Sequence, residues 1–81
     1  MIRLHGYQKQ EYTRFVDNIR FLRRHNGYTQ MSLAKKIGVS SGTIGAIEAM
    51  RGFPSFGLCF NLAEVFNVSI QELFGKELYK A

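Results

Sequence analysis

A chain of 81 residues, 46% of them apolar, is one domain at most and too apolar to be a disordered tail. No apolar run reaches bilayer length, and Met1-Ile2-Arg3-Leu4-His5-Gly6 has no hydrophobic segment of signal type, so a cytoplasmic location is expected. The net charge of +5 is unevenly placed: residues 1–51 are strongly basic, with only Glu11, Asp17 and Glu48 opposing the cations, while residues 52–81 are close to neutral. That division suggests one face for a polyanion and another for packing or a partner.

Apolar residues recur at spacings of three and four almost throughout, which predicts five helices and no strand. The first runs from about Lys9 to His25, with Tyr12, Phe15, Val16, Ile19 and Leu22 as its stripe and Arg14, Arg20 and Arg24 off it. Asn26-Gly27 ends it. The preceding residues 1–8 read as a loose N-terminal arm or as an early extension of the same helix. Thr29 caps a short second helix with Met31, Leu33, Ala34 and Ile37 apolar, and Gly38 stops it. Ser40 caps a third helix, 41–50, with Ile44 and Ile47 inward. The link Gly38-Val39-Ser40 is too short for antiparallel helices, so the two must cross steeply, as in a helix-turn-helix spanning 30–50.

Gly52-Phe53-Pro54 breaks the chain, and Ser55 opens a fourth helix. Its inward set is expected to be Phe56, Cys59, Phe60, Leu62, Ala63 and Phe66, with Leu58 and Val65 projecting away. Ser69-Ile70-Gln71-Glu72 is a capping box, and Val68 and Leu73 stand where a hydrophobic staple requires them. The fifth helix follows, carrying Leu73, Phe74, Leu78 and Tyr79 and weakened by Gly75.

Catalytic chemistry has no foothold. The carboxylates are scattered, no glycine-rich loop follows a strand, and His25 at a helix end is explained by the helix dipole. Cys59, the sole cysteine, reads as a small buried hydrophobe, and with two histidines it makes no plausible zinc site. Neither metal nor cofactor is expected.

One constellation stands out. It reads Ile19-Arg20-Phe21-Leu22-Arg23, Tyr28-Thr29-Gln30-Met31-Ser32-Leu33-Ala34, Ile37-Gly38-Val39-Ser40, Ile44, Ile47-Glu48, Pro54-Ser55, Leu62-Ala63, Phe66-Asn67-Val68-Ser69 and Glu72-Leu73. This resembles the phage-repressor and Cro-like helix-turn-helix family, over about two-thirds of the chain and without insertion. The resemblance implies an all-α, compact five-helix lambda-repressor-like DNA-binding domain over residues 1–81, acting as a prophage-repressor-type transcriptional regulator. It implies an ion pair between Arg23 and Glu48, phosphate contact at the start of helix two through Thr29 and Gln30, and backbone contact by Arg51. Lys35 and Lys36 either lie over flanking phosphate or face water. Where the family commonly has glycine, this chain has Met50, so a different loop shape is expected there.

The outward positions of the third helix are Ser41, Gly42, Thr43, Gly45 and Ala46, whereas family members often carry amides or cations that bond base edges. Three readings fit. Ser41 and Thr43 bond phosphates or bases while Ala46 meets a thymine methyl, with DNA shape adding specificity. Alternatively the face docks a protein, as in an antitoxin-like module, or it has relaxed in a degenerate copy. Family members usually bind double-stranded DNA as symmetric dimers on half-sites about 34 Å apart. Here a homodimer would use the C-terminal part, with Leu58, Val65, Phe74, Leu78 and Tyr79 as candidates.

Overall fold

The computed structural model describes residues 5–80, with side chains from Gln10 onward. Helices α1 (His5–His25), α2 (Gln30–Ile37), α3 (Ser41–Glu48), α4 (Phe56–Val65) and α5 (Ile70–Gly75) are followed by a 3-10 turn, Leu78–Lys80. Among the described residues the architecture is five-helix and strand-free, as expected. At the start, residues 5–8 extend α1 and do not form an arm; residues 1–4 lie outside the described residues.

Local signals fix the helix ends. Thr29, Ser40, Ser55 and Ser69 are N-caps, each accepting a backbone N–H three residues on. Two of them complete capping boxes: Ser69 with Glu72, as the sequence indicates, and Thr29 with Ser32 in place of the usual longer acid or amide. Helices α1, α2, α3 and α4 close through one shared geometry, in which the backbone N–H groups of Tyr28, Val39, Arg51 and Val68 reach back five residues to Arg23, Ala34, Ala46 and Ala63. The residue just before each is left-handed: Gly27, Gly38, Met50 and Asn67. Met50 therefore adopts the glycine conformation at φ 58°. For a residue with a side chain that conformation carries a backbone penalty of about 1–2 kcal/mol.

The core is one cluster. Phe15, Val16, Ile19 and Leu22 of α1 meet Leu33, Ala34, Ile44, Ile47, Cys59, Leu62, Ala63, Phe66 and Leu73. Cys59 is buried as expected, and burial pushes its thiol up, away from the reactive thiolate. The short α5 could not persist alone and is held from outside. Fully buried Asn18 donates to the carbonyls of Leu73 (2.8 Å) and Lys76 (2.7 Å) and accepts the Leu78 N–H at 2.9 Å. Arg14, off the apolar stripe, donates to the Phe74 carbonyl at 3.2 Å.

Helix α4 departs from the expected phase. Phe56 is 75% exposed and Phe60 47%, whereas Leu58 and Val65 are half-buried against the core. Its sequence, FGLCFNLAEV, is apolar on almost every side, so spacing alone does not define an inward direction. Tertiary packing decides instead: Leu58 and Val65 are packed against the core, Leu58 lining a groove with Thr43 and Ile47 of α3 and Val65 one with Lys36 and Ile37 of α2. Phe74 and Leu78 also pack against the core, so Leu58, Val65, Phe74 and Leu78 are not the open apolar surface.

Candidate nucleic-acid interface

The helix-turn-helix is held from behind by a buried polar cluster. Arg23 of α1 donates to both carboxylate oxygens of Glu48, from Nε to Oε2 at 2.6 Å and from an η nitrogen to Oε1 at 3.0 Å. Its other η nitrogen donates to the Tyr28 carbonyl at 3.0 Å, spanning the α1–α2 turn. Arg20 donates to the Glu48 main-chain carbonyl at 2.5 Å, which neutralises the end of α3. Burial pushes the Glu48 carboxyl up, but hydrogen bonds from Arg23 and Gln30 and the charges of Arg23 and Arg20 outweigh this, leaving it below the usual carboxylate range. The ion pair expected from the resemblance is thus present, buried and bidentate.

Gln30 has a more internal place than a free phosphate ligand would. Its side-chain nitrogen donates to Glu48 Oε1 at 3.1 Å, leaving one amide hydrogen. The Thr29 hydroxyl is engaged in the α2 cap, accepting from Ser32. Both residues remain solvent-accessible at the start of α2. Met31 beside them is 70% exposed, and Lys35 follows one turn later on the same side. Lys36 instead lines an open groove with Asn61 and Glu64 of α4.

Outward, α3 is almost bare. Ser41 and Gly42 are exposed, and Thr43, Gly45 and Ala46 half-exposed. The Thr43 hydroxyl shares a hydrogen bond with Ser40 at 2.9 Å and keeps part of its bonding capacity, while Ser41 beside it is exposed. Gly42, Thr43 and Ala46 line an open groove of about 380 Å³ together with Arg51 and Phe53. Four residues chosen from the sequence, Gly42, Thr43, Ala46 and Arg51, thereby line one groove, while Gln30 lies beside Gly45 and bonds Glu48, and neither Thr29 nor Gln30 lines that groove.

Nothing inside the chain requires glycine at positions 42 and 45. A methyl group at Gly42 would meet only Ser40 Oγ at 3.8 Å, and at Gly45 only Gln30 Oε1 at 3.5 Å, both ordinary contacts. Each glycine weakens the helix by about 1 kcal/mol relative to alanine, without an internal packing reason.

The loop from Ala49 to Ser55 owes its position to long-range contacts that spacing along the sequence does not reveal. The Tyr12 hydroxyl donates to the Gly52 carbonyl at 2.5 Å. Phe53 stacks between Tyr12 (4.8 Å) and Phe74 (6.2 Å), and Phe74 stacks in turn on Phe15 at 4.5 Å. This aromatic column joins α1, the loop and α5, and sets where Arg51 stands. Among the described residues Arg51 and Lys35 are exposed cations with no ion pair, whereas Arg20 and Arg23 are spent on internal bonds. Among the described residues, no group of three or more His, Cys, Asp or Glu could hold a metal ion. No described helix is long and apolar enough to cross a membrane.

Comparison with known proteins agrees with this geometry. The chain is 41% identical over 58 residues to an HTH-type transcriptional regulator of Methanocaldococcus jannaschii, covering 72% of this chain and 88% of that protein. It is 45% identical over 56 residues to one of Archaeoglobus fulgidus, covering 69% and 80%, and 40% identical over 55 residues to YazB of Bacillus subtilis, covering 68% and 80%. No solved structure matches. The helix-turn-helix family profile matches residues 19–73, from the Ile19 core position to Leu73 in α5, and the chain belongs to that family.

Proposed function

We propose that the chain is a non-enzymatic DNA-binding transcriptional regulator of prophage-repressor type, acting in the cytoplasm as a homodimer on a two-fold symmetric operator. Helix α3 and its following turn, residues 41–50, enter the major groove. The observation that carries this reading is the contrast across α3: a fully bonded inner side beneath an accessible outer side that Arg51 borders. The relatives' names as HTH-type transcriptional regulators support it.

The outer side also limits how DNA is read. It has no amide or guanidinium to make bidentate bonds to base edges. Ser41 offers a hydroxyl and Ala46 a methyl for thymine, while Gly42 and Gly45 let the helix backbone approach the groove closely. Specificity then comes largely from groove shape and methyl contacts, with Gln30, Thr29 and Arg51 positioning the domain on phosphates.

Selection from a random duplex pool at near-physiological salt tests this. Enrichment of a symmetric site is expected, with A·T-rich positions under Ala46. Weak, salt-sensitive retention without enrichment would overturn it and favour a protein-docking, antitoxin-like use of the same fold.

A further inference from the structure

The loop that follows α3 is held from outside the helix-turn-helix. The Arg51 N–H bonds the Ala46 carbonyl, but among the described residues the main chain of 52–54 makes no backbone–backbone hydrogen bond. What holds it comes from α1, 40 residues away: the Gly52 carbonyl accepts the Tyr12 hydroxyl at 2.5 Å, and the Tyr12 ring packs against Phe53 at 4.8 Å. Behind Phe53 stands Phe74, whose ring stacks on Phe15 and whose carbonyl accepts from Arg14 at 3.2 Å. One turn of α1 thus grips the loop, directly through Tyr12 and indirectly through Phe74. Tyr12, Phe15 and Phe74 lie outside residues 19–73 of the family match, whereas Arg51 and Phe53 lie inside it.

We infer that Tyr12 is a positioning residue for DNA binding: by holding the Gly52 carbonyl, its hydroxyl presents Arg51 to the phosphate backbone. The inference rests on the DNA reading above and adds to it a residue that lines no part of the α3 groove. Arg51 lines that groove, is exposed and makes no ion pair among the described residues, so only its main chain directs it. One hydrogen bond fixes the peptide before Arg51 and the other the peptide after Gly52, so the two residues are tied at both ends.

Without the second tie the chain pivots at Gly52, a left-handed glycine at φ 93° with the widest backbone freedom of any residue type. An arginine on a tied loop loses less freedom on meeting a phosphate than one on a free loop, and that difference appears as affinity. The Tyr12 bond lies at the surface, so its loss loosens the loop far more than it weakens the fold.

Tyr12→Phe removes one oxygen and keeps the ring against Phe53, so it tests the tie alone. In the free protein the Arg51 N–H should lose exchange protection, while the amides of Ile44 and Ile47 keep theirs and the melting temperature stays close to that of the wild type. Binding to a mixed-sequence duplex between about 50 and 200 mM salt is then compared for the wild type, Y12F, R51A and Y12F/R51A. Y12F should weaken binding about threefold to tenfold, the range for one neutral hydrogen bond. R51A should lower the salt slope by about 0.9, and Y12F should lower it in the same direction. With Arg51 already removed, Y12F should change affinity by less than about twofold. Unchanged binding by Y12F, an equal loss with and without Arg51, or unchanged exchange at Arg51 would each overturn the inference and leave the DNA reading standing. A wild type that retains no duplex even at about 50 mM salt would instead overturn the DNA reading, and this inference with it.

Discussion

Toward the core, α3 presents Ile44, Ile47 and Glu48, each at most 7% exposed, with every buried side-chain polar atom among the described residues satisfied. Toward solvent, the same eight-residue helix presents Ser41, Gly42, Gly45 and Ala46 and uses almost no side chain at all. The inner side invests in rigidity: a bidentate ion pair, an amide from Gln30, and a guanidinium on the terminal carbonyl. The outer side gives up helix stability at two glycines without any return within the chain. A helix so firmly held, yet so bare, is suited to presenting backbone to another molecule.

Breaking the inner side should have the largest effect. Glu48→Ala leaves Arg23 charged and buried without its partner, and should lower unfolding stability by about 3–5 kcal/mol in urea titrations followed by circular dichroism. Replacing Arg23 and Glu48 together by apolar residues of similar size should recover most of that loss. Recovery would show that the pair sets geometry more than it adds stability.

Asn18→Leu should follow, at about 2–3 kcal/mol, because it strands the Leu73 and Lys76 carbonyls and the Leu78 N–H. Its particular sign is early loss of amide protection in residues 73–80, read by hydrogen exchange.

Acid should sharpen the same contrast. Glu48 is held below its ordinary value, and so is Glu72, chiefly by the Ser69 backbone N–H that its carboxylate accepts. A depressed folded-state value means that the stabilisation is fully present above the unfolded carboxylate range, about 4.3. It is lost as pH falls through the lower folded values. Stability should accordingly be flat near neutrality and fall in acid, and Glu48→Gln should make the acid limb shallower.

Small gains are expected where the chain departs from helix-friendly choices. Met50→Gly should add about 1 kcal/mol by relieving the left-handed conformation, less the extra freedom glycine gives the unfolded chain. Gly42→Ala and Gly45→Ala should each add about 1 kcal/mol.

The sequence makes the inner side readable and leaves the outer surfaces obscure, for physical reasons. Caps, stop residues and apolar spacing are local, so Thr29, Ser40, Ser55, Ser69 and Gly38 declare their roles directly. The Arg23–Glu48 pair emerges only through the family resemblance, since 25 residues separate its members. Asn18 could have been noticed as a polar residue three after Phe15 and four before Leu22, at the edge of the buried stripe. Tyr12 and Phe53 meet only through tertiary packing, and no spacing links them. Helix α4 misleads because apolar residues surround it, and the exposed Phe56 and Phe60 look identical to core residues until α2 and α3 claim one side.

The most direct test pairs two readings on one variant, G42A/G45A: its melting temperature, and its affinity for the duplex selected by the wild type. We predict a more stable domain that binds that duplex at least about tenfold more weakly, a loss of 1.4 kcal/mol or more. A more stable domain with unchanged affinity would contradict close approach of the α3 backbone to DNA.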